Sequence, residues 1–226
     1  MNASHKKSFV DVGFCKLDPI INHELQDTSL TSLGLDPKKK TLLYAPTFYP
    51  SSIECFADNW PQLYRQYNII IKPHYFSLAK DSYKNQRKLL EKWSKFDNVY
   101  LANVEDYSLV PFMAIADVLI SDASSALFEF AALNKPVIWC DFLKLRWSYR
   151  GLLSYRFKKR MDQDYGEYAE VAVHAKSFKN LQQHVEQQLA NPKDLEAIRL
   201  ALAEKLCGKI DGKASARIIS YLRENI

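Results

Sequence analysis

The sequence is poor in glycine, in closely spaced cysteines and in long apolar runs. Only six of its 226 residues are glycine, and none belongs to a P-loop or to a G-x-G-x-x-G loop. The four cysteines lie far apart, which favours reduced thiols in a cytosolic protein over zinc or a disulfide framework. No signal peptide, membrane span or metal-ligand cluster is found, so we expect no tightly held metal.

Short apolar runs alternate with helical segments along most of the chain. Strands are expected at 41–45, 68–71, 98–101, 118–120 and 137–140, with an edge strand within 168–174. Helices are expected at 54–67, 79–95, 107–116, 124–134, 177–190, 194–206 and 213–225. This alternation predicts an α/β fold with a Rossmann-like, doubly wound parallel sheet. We expect residues 1–40 to form a linker-like segment and residues 41–226 to form the domain.

Polar residues follow the predicted strands, at the point where each strand ends. They are Thr47, His74, Asn103, Glu105, Asp122, Ser124, Ser125 and Asp141. The carboxyl ends of parallel strands share one edge of the sheet, so these residues are expected to meet in one crevice. Hydroxyls at the start of a helix, near its free N–H groups and positive dipole, suggest an anionic ligand. The alternative is that Asp122 or Ser124 only caps the helix.

Six segments, taken in order and spacing, resemble one family. They are Val12–Asp18, Leu43–Phe48, Ile71–His74, Leu119–Phe130, Asn134–Ile138 and Asp211–Ser215. The set is similar to the C-terminal, donor-binding domain of CDP-glycerol glycerophosphotransferases, the teichoic-acid-type polymerases and primases with a GT-B fold. The Lys-Pro-His piece that ends at His74 and the Asp-x-Ser-Ser piece that begins at Asp122 carry most of the resemblance.

The resemblance implies an activity and a set of site residues. Glycerol phosphate would pass from CDP-glycerol, or a related CDP-alditol, to a hydroxyl of a lipid-linked or polymeric acceptor, and CMP would leave. His74 would be catalytic, contacting the donor pyrophosphate and helping the leaving phosphate to depart. The implied donor-binding residues are Thr47, Lys72, Asp122, Ser124, Ser125 and Glu129.

Two of these roles have plainer alternatives. His74 follows Pro73, and its ring could simply bond a nearby backbone group. The carboxylate of Asp122 would repel a phosphate, which favours a helix cap or a bond to a donor hydroxyl.

The family pattern also includes an upstream domain with a second essential histidine in a Trp-His-Gly type motif, which this sequence lacks. We therefore expect only the donor-binding half, needing an N-terminal GT-B partner domain for activity. The alternatives are a nucleotide-sugar GT-B transferase or epimerase of surface polysaccharide synthesis, and a non-catalytic nucleotide-binding subunit. No cofactor and no nucleic-acid partner are expected.

The whole net charge of +5 comes from residues 143–160, which contain seven cations and no acidic residue. This segment could bind an anionic membrane surface, an anionic donor or polymer, or RNA. The alternative is a solvated loop with a few side chains anchored in the core. The residues expected to touch membrane or polymer are Arg146, Arg150, Arg156, Lys158, Lys159 and Arg160. The expected location is the cytoplasm, and the basic segment could attach the protein peripherally to the inner face of the cell membrane.

Overall fold

The computed structural model describes residues 9–25, 27–146, 149, 151, 155 and 168–225. Within them, six strands form one sheet in the order β3-β2-β1-β4-β5-β6, and every neighbouring pair is parallel. The strands are β1 Thr41–Ala45, β2 Asn68–Ile71, β3 Val99–Leu101, β4 Val118–Ser121, β5 Val137–Cys140 and β6 Val173–Ala175. This is the Rossmann strand order, and it confirms the predicted fold class.

The central strands are apolar at nearly every position because both faces of the sheet are covered. In β1 and β2, Leu42 lies opposite Ile69 and Leu43 lies opposite Ile70. Leu42 and Ile69 belong to one hydrophobic cluster, while Leu43 and Ile70 belong to a second cluster on the other face. A strand buried on both faces reads as a continuous apolar run, which is why its position could be predicted.

Nine helices among the described residues flank or extend the sheet. They are α1 Asp18–Ile21, α2 Trp60–Leu63, α3 Tyr75–Ala79, α4 Lys84–Trp93, α5 Val110–Ile115, α6 Ser125–Ala131, α7 Phe178–Ala190, α8 Glu196–Cys207 and α9 Ala214–Asn225.

Several predicted element boundaries are wrong. The helix expected at 54–67 is a 3-10 turn, Ile53–Cys55, followed by α2, because Pro61 is suited to the first turn of a helix rather than its interior. The helix expected at 79–95 starts only at Lys84 and is preceded by α3. The sixth strand covers only Val173–Ala175, at the end of the expected range.

Residues before the first strand pack on the C-terminal helix. The carboxylate of Asp18 accepts the backbone N–H groups of Ala214 at 3.3 Å and Ser215 at 2.7 Å, at the start of α9. The guanidinium of Arg217 donates to the carbonyl of Val12 at 2.9 Å. The described part of the N-terminal segment is thus bonded to the domain, although a boundary between residues 40 and 41 stays a prediction.

Lys135 forms hydrogen bonds with the C-terminal end of α5. Its ammonium group donates to the carbonyl oxygens of Met113, Ala114 and Ala116 at 2.8–2.9 Å. The carbonyls of Met113 and Ala114 have no partner within their own helix because they belong to its last turn, and Ala116 directly follows the helix. The preceding Asn134 has a positive φ of 54° and accepts Arg199 Nε at 3.2 Å. This part of the Asn-Lys-Pro motif therefore stabilises the fold.

Candidate functional site

A cavity of about 530 Å³ lies at the carboxyl edge of the sheet, next to β1 and β4, where the strand order reverses. In open parallel sheets this is the usual position of a ligand crevice. Its walls come from the segments that follow β1, β2, β3 and β4. The polar lining residues are Thr47, Lys72, His74, Tyr75, Asn103, Asp106, Tyr107 and Ser124.

Five of the residues singled out from the sequence line this cavity together: Thr47, Lys72, His74, Asn103 and Ser124. They come from four different strand ends and span 78 positions of sequence, yet share one space. Their roles toward a ligand stay predictions. Ser125, the exposed first residue of α6, does not line the cavity.

His74 has both a structural and a cavity-lining position. It caps α3, and its Nδ1 accepts the backbone N–H of Phe76 at 3.1 Å. Burial, together with the charges of Lys72 and Lys80, lowers the pKa of His74 below its usual 6.5. The ring is therefore neutral at pH 7, and because Nδ1 accepts a hydrogen bond, the proton is on Nε2. His74 thus offers Nε2–H as a hydrogen-bond donor to a ligand.

Asp122 organises the loop after β1. Its side chain is 1% exposed, and its Oδ2 accepts the backbone N–H of Thr47 at 3.0 Å and the hydroxyl of Thr47 at 3.2 Å. It also accepts the hydroxyl of Ser51 at 3.2 Å and the backbone N–H of Ser52 at 3.3 Å. Burial raises the pKa of Asp122 to about 6, although these hydrogen bonds oppose the rise.

The alternative that Asp122 or Ser124 caps the helix is met only by the position of Ser124, without a side-chain bond. Ser124 occupies the N-cap position of α6, but no side-chain hydrogen bond caps this helix. The Ser124 hydroxyl instead bonds that of Ser121 at 3.2 Å, while the carboxylate of Asp122 turns to the β1 loop. The carboxylate of Asp122 is therefore used in bonds across the sheet edge and not in a local cap.

Lys72 supplies positive charge to the cavity. Burial lowers the pKa of this half-buried ammonium, and the charge of Asp106 partly offsets the effect. Asp106 accepts the backbone N–H of Asn103 at 2.7 Å and the hydroxyl of Tyr100 at 3.3 Å. A cation that is partly desolvated interacts more strongly with an anionic ligand than one in water.

Glu129 lies away from the cavity. Its carboxylate forms an ion pair with Lys16 at 2.7 Å, and the residue is 8% exposed. It lies in the second turn of α6, more than one helical turn from Ser124, and the N-terminal segment covers it. The structure therefore gives Glu129 a partner within the chain, and its predicted donor contact has no support from the cavity lining.

Arg146 is the described residue among the six cations expected to meet membrane or polymer. It is exposed, and its guanidinium lies 4.2 Å from the ring centre of Tyr49. Its backbone N–H donates to the Tyr49 hydroxyl at 3.1 Å, so the start of the basic segment is fixed to the β1 loop. The other five lie outside the described residues: Arg150, Arg156, Lys158, Lys159 and Arg160.

Sequence reasoning missed part of the cavity wall. Tyr75, Val104, Asp106 and Tyr107 all line it. Tyr75 directly follows His74, and the other three lie in the loop after β3, so the strand-end rule applied more widely would have included them.

The described residues contain no helix long and apolar enough to cross a bilayer. The same part of the chain has no group of three or more His, Cys, Asp or Glu side chains arranged to hold a metal ion. The expectation of a chain without bound metal stays a prediction.

Comparison with known families gives one match over almost the whole chain. The model of the CDP-glycerol:poly(glycerophosphate) glycerophosphotransferase family matches residues 2–224. A teichoic acid glycerol-phosphate primase of Bacillus subtilis (strain 168) is 32% identical over 123 residues, covering 51% of this chain and 29% of the relative. A teichoic acid poly(glycerol phosphate) polymerase of Staphylococcus epidermidis is 25% identical over 240 residues, covering 98% of this chain and 30% of the relative.

Solved structures with the same fold include the wall teichoic acid polymerase TagF. It superposes with a TM-score of 0.66 and 23% identity over 96% of this chain and 51% of that chain. A UDP-GlcNAc 2-epimerase from Neisseria meningitidis, solved bound to UDP-GlcNAc, gives a TM-score of 0.53 at 16% identity over 95% of this chain and 55% of that chain. At these identities the likeness shows the fold alone. The chain spans about 30% of the length of these curated relatives and about half of the solved chains.

Proposed function

The chain belongs to the CDP-glycerol:poly(glycerophosphate) glycerophosphotransferase family, and we propose that it is the donor-binding half of such an enzyme. The carrying observation is the shared cavity, in which Lys72, His74, Thr47 and Ser124 converge from separate strand ends. An ammonium and a neutral imidazole N–H donate to a diphosphate, and the hydroxyl of Ser124 can do so by turning away from Ser121. The donor is CDP-glycerol or a related CDP-alditol.

The proposed reaction displaces CMP. The oxygen of an acceptor hydroxyl forms a bond to the phosphorus of the glycerol phosphate group. The bond from that phosphorus to the bridging oxygen breaks, and CMP leaves with this oxygen. The hydroxyl proton passes to a base on the acceptor side.

The residues of this chain act on the donor. Catalysis of phosphoryl-type transfer depends mainly on positioning and on neutralising charge. The ammonium of Lys72 and the Nε2–H of His74 stabilise the negative charge that grows on the leaving CMP phosphate. Asp122 does not contact the donor, because its carboxylate positions the loop that carries Thr47.

The acceptor side is proposed to need a second domain. The chain spans about half of the TagF chain that it resembles, and the described cavity is open at one edge of the sheet. A GT-B partner domain would close it and bring the lipid-linked or polymeric acceptor. We place the assembled enzyme in the cytoplasm, at the inner face of the membrane, where the basic segment would meet anionic lipid or polymer.

Calorimetric titration of the chain with CDP-glycerol, CMP and UDP-GlcNAc tests the proposal. We expect a cytidine nucleotide to bind in the micromolar to millimolar range. His74→Asn should weaken that binding about tenfold, a typical effect of losing one charge-assisted bond. Asn180→Ala, a change on α7 away from the cavity, is the matched control. Binding of UDP-GlcNAc alone would favour the nucleotide-sugar alternative and overturn the proposal.

Turnover separates the half-enzyme from a complete one. The isolated chain is expected to bind CDP-glycerol without releasing CMP to an added polymer acceptor. Release of CMP at a rate that depends on the acceptor would show that one domain is sufficient. The non-catalytic alternative requires that CMP release stay absent when a matching GT-B partner domain is added.

A further inference from the structure

Gln86 is a buried amide in the first turn of α4. The residue is 2% exposed, although glutamine side chains are mostly exposed in proteins. Its Oε1 accepts the hydroxyl of Ser77 at 2.7 Å, and its Nε2 donates to the backbone carbonyl of Phe48 at 3.0 Å. Ser77 belongs to α3 and Phe48 to the loop after β1, so this one side chain bridges two separate segments.

The two segments that Gln86 joins carry different parts of the cavity wall. Phe48 directly follows Thr47, which lines the cavity. Ser77 donates its backbone N–H to the carbonyl of His74 at 2.9 Å, and His74 lines the cavity as the N-cap of α3. Gln86 does not line the cavity itself, so it can affect a ligand only through the residues that it holds.

The same loop also places an aromatic ring against His74. The ring centres of Phe48 and His74 are 4.6 Å apart, and that of Phe48 is 5.0 Å from that of Phe76. Because Gln86 holds the carbonyl of Phe48, it fixes the backbone from which this ring extends. A change in the bridge should therefore reach the imidazole of His74 through the Phe48 ring as well as through α3.

The pKa of His74 is sensitive to this packing. Burial is the main cause of its lowered pKa, and the charges of Lys72 and Lys80 lower it further. If the Phe48 ring moved away, water would reach the imidazole more easily and the pKa would rise. The His74 pKa is thus a readout of the bridge that needs no ligand.

We propose that Gln86 is a positioning residue for donor binding, which sets the separation between the loop after β1 and α3 and thereby places Thr47 and His74 in the cavity. The identity of the ligand rests on the proposed function. A glutamine suits this position because one amide both accepts from a hydroxyl and donates to a carbonyl. An ionised glutamate can only accept, and a leucine can do neither.

Gln86 and Asp122 hold the loop after β1 from different elements. Asp122 accepts the backbone N–H of Thr47 at 3.0 Å and ties the loop to the end of β4. Gln86 binds the carbonyl of the next residue, Phe48, and ties the loop to α3 and α4. Loss of Gln86 should therefore alter the relation of Thr47 to His74 while the bond between Thr47 and Asp122 remains.

NMR titration of the His74 ring and calorimetry with CDP-glycerol test this role. In Gln86→Leu, which removes both bonds, we expect the His74 pKa to rise toward 6.5 and the affinity to fall about tenfold. Ser77→Ala removes one bond and should change both quantities in the same direction by less. In the Gln86→Leu background, Ser77→Ala should have no further effect, because the bond between the two side chains is already lost.

Asn68→Leu is the matched control. Asn68 is also a buried amide, 1% exposed, and lies at the amino end of β2, the opposite end of the strand from the cavity. It donates to the carbonyl of Asp36 at 2.8 Å and accepts the Asp36 N–H at 3.3 Å. Asn68→Leu should lose stability in urea without changing the His74 pKa or the affinity for CDP-glycerol. Equal changes in Asn68→Leu and Gln86→Leu would indicate general loosening and overturn the proposal.

The remaining outcomes separate this role from the proposed function. A folded Gln86→Leu variant with wild-type affinity overturns the positioning role and leaves the proposed function standing. If Gln86→Leu does not fold, Ser77→Ala decides, and wild-type values there overturn the role. A wild-type chain that binds no cytidine nucleotide overturns the proposed function and the role in donor binding with it, whereas a raised His74 pKa in Gln86→Leu would still show that the bridge positions His74.

Discussion

The carboxylate of Asp122 accepts the backbone N–H of Thr47 at 3.0 Å, although 75 positions of sequence separate the two residues. The bond spans the point where the strand order reverses, from the end of β4 to the loop after β1. It fixes one wall of the cavity. Asp122 is therefore a positioning residue that acts on a ligand through Thr47.

Removing the Asp122 carboxylate should destabilise the protein. Asp122→Ala leaves the buried N–H of Ser52 and the hydroxyl of Ser51 without their acceptor. Unfulfilled buried donors cost about 1–3 kcal/mol each, so we expect a loss of roughly 3 kcal/mol in the free energy of unfolding. Urea denaturation measures it. Asp122→Asn retains one acceptor oxygen and should lose less; equal stability of the alanine variant and wild type would contradict this role.

Asp122 should also give stability a particular pH dependence. Its pKa is raised from 3.8 to about 6 in the folded protein, so the folded state binds the proton more tightly than the unfolded state. This contribution, about 3 kcal/mol at most, is complete below pH 3.8 and is lost as the pH rises through about 6. The difference in unfolding free energy between wild type and Asp122→Asn, followed with pH, should show this slope. A constant difference would disprove it.

The two nitrogens of His74 can be tested separately. Asparagine is a good N-cap residue, so His74→Asn should preserve the bond to Phe76 and the stability of the fold. His74→Ala should lose about 1 kcal/mol. Both variants lack Nε2–H, and both should bind CDP-glycerol more weakly. Thermal melts and calorimetry report the two effects; an asparagine variant with wild-type affinity would show that Nε2 has no part in binding.

Asp18 should stabilise α9 most strongly when its carboxylate is ionised, above pH 3.8. Burial alone would raise its pKa, but the N–H groups of Ser215 and Ala214 and the charge of Arg217 lower it below 3.8. Its contribution is present above pH 3.8 and is lost as the pH falls through the folded pKa. Asp18→Ala should cost about 1–2 kcal/mol and speed amide exchange in the first turn of α9. Unchanged exchange there would rule out the cap.

His174 is expected to titrate above its usual pKa of 6.5. Its Nδ1 lies 3.0 Å from Asp141 and its Nε2 lies 2.9 Å from the carbonyl of Ala169, so the protonated ring has two acceptors. The bond to Asp141 is the main cause of the raised pKa, and burial and the charge of Lys176 oppose it. The resulting stability is present below pH 6.5 and lost as the pH rises through the folded pKa.

NMR titration of the His174 ring gives the pKa directly. Asp141→Asn should lower it, and Lys176→Met should raise it. Shifts of the same sign in both variants would contradict the assignment.

The sheet was predictable because its strands are buried on both faces and read as short apolar runs. Helix boundaries were less predictable, since they depend on caps such as His74, whose role is visible only when Phe76 is in place. The strand-end rule brought Thr47 and His74 together correctly. It could not show that Glu129 pairs with Lys16, 113 positions away, because nothing local in the sequence marks such a partner.

Motif matching alone could not separate binding residues from structural ones. Asn134 and Lys135 belong to a segment that resembles the family, yet their described bonds stabilise a turn and the end of α5. The Asp211–Ser215 segment likewise supplies the start of α9 that Asp18 caps. Residues of a family motif can therefore stabilise the fold around the sheet as well as line the cavity.

The three carbonyl bonds of Lys135 have a consequence for chemical labelling. An ammonium that donates to Met113, Ala114 and Ala116 has no free lone pair, whereas acylation requires the lone pair of an accessible neutral amine to attack the reagent. In a mass-spectrometric footprint, Lys135 should therefore stay unmodified while surface lysines react. Lys135 would be modified only when the last turn of α5 unfolds, so its modification rate measures local unfolding at this end of the helix.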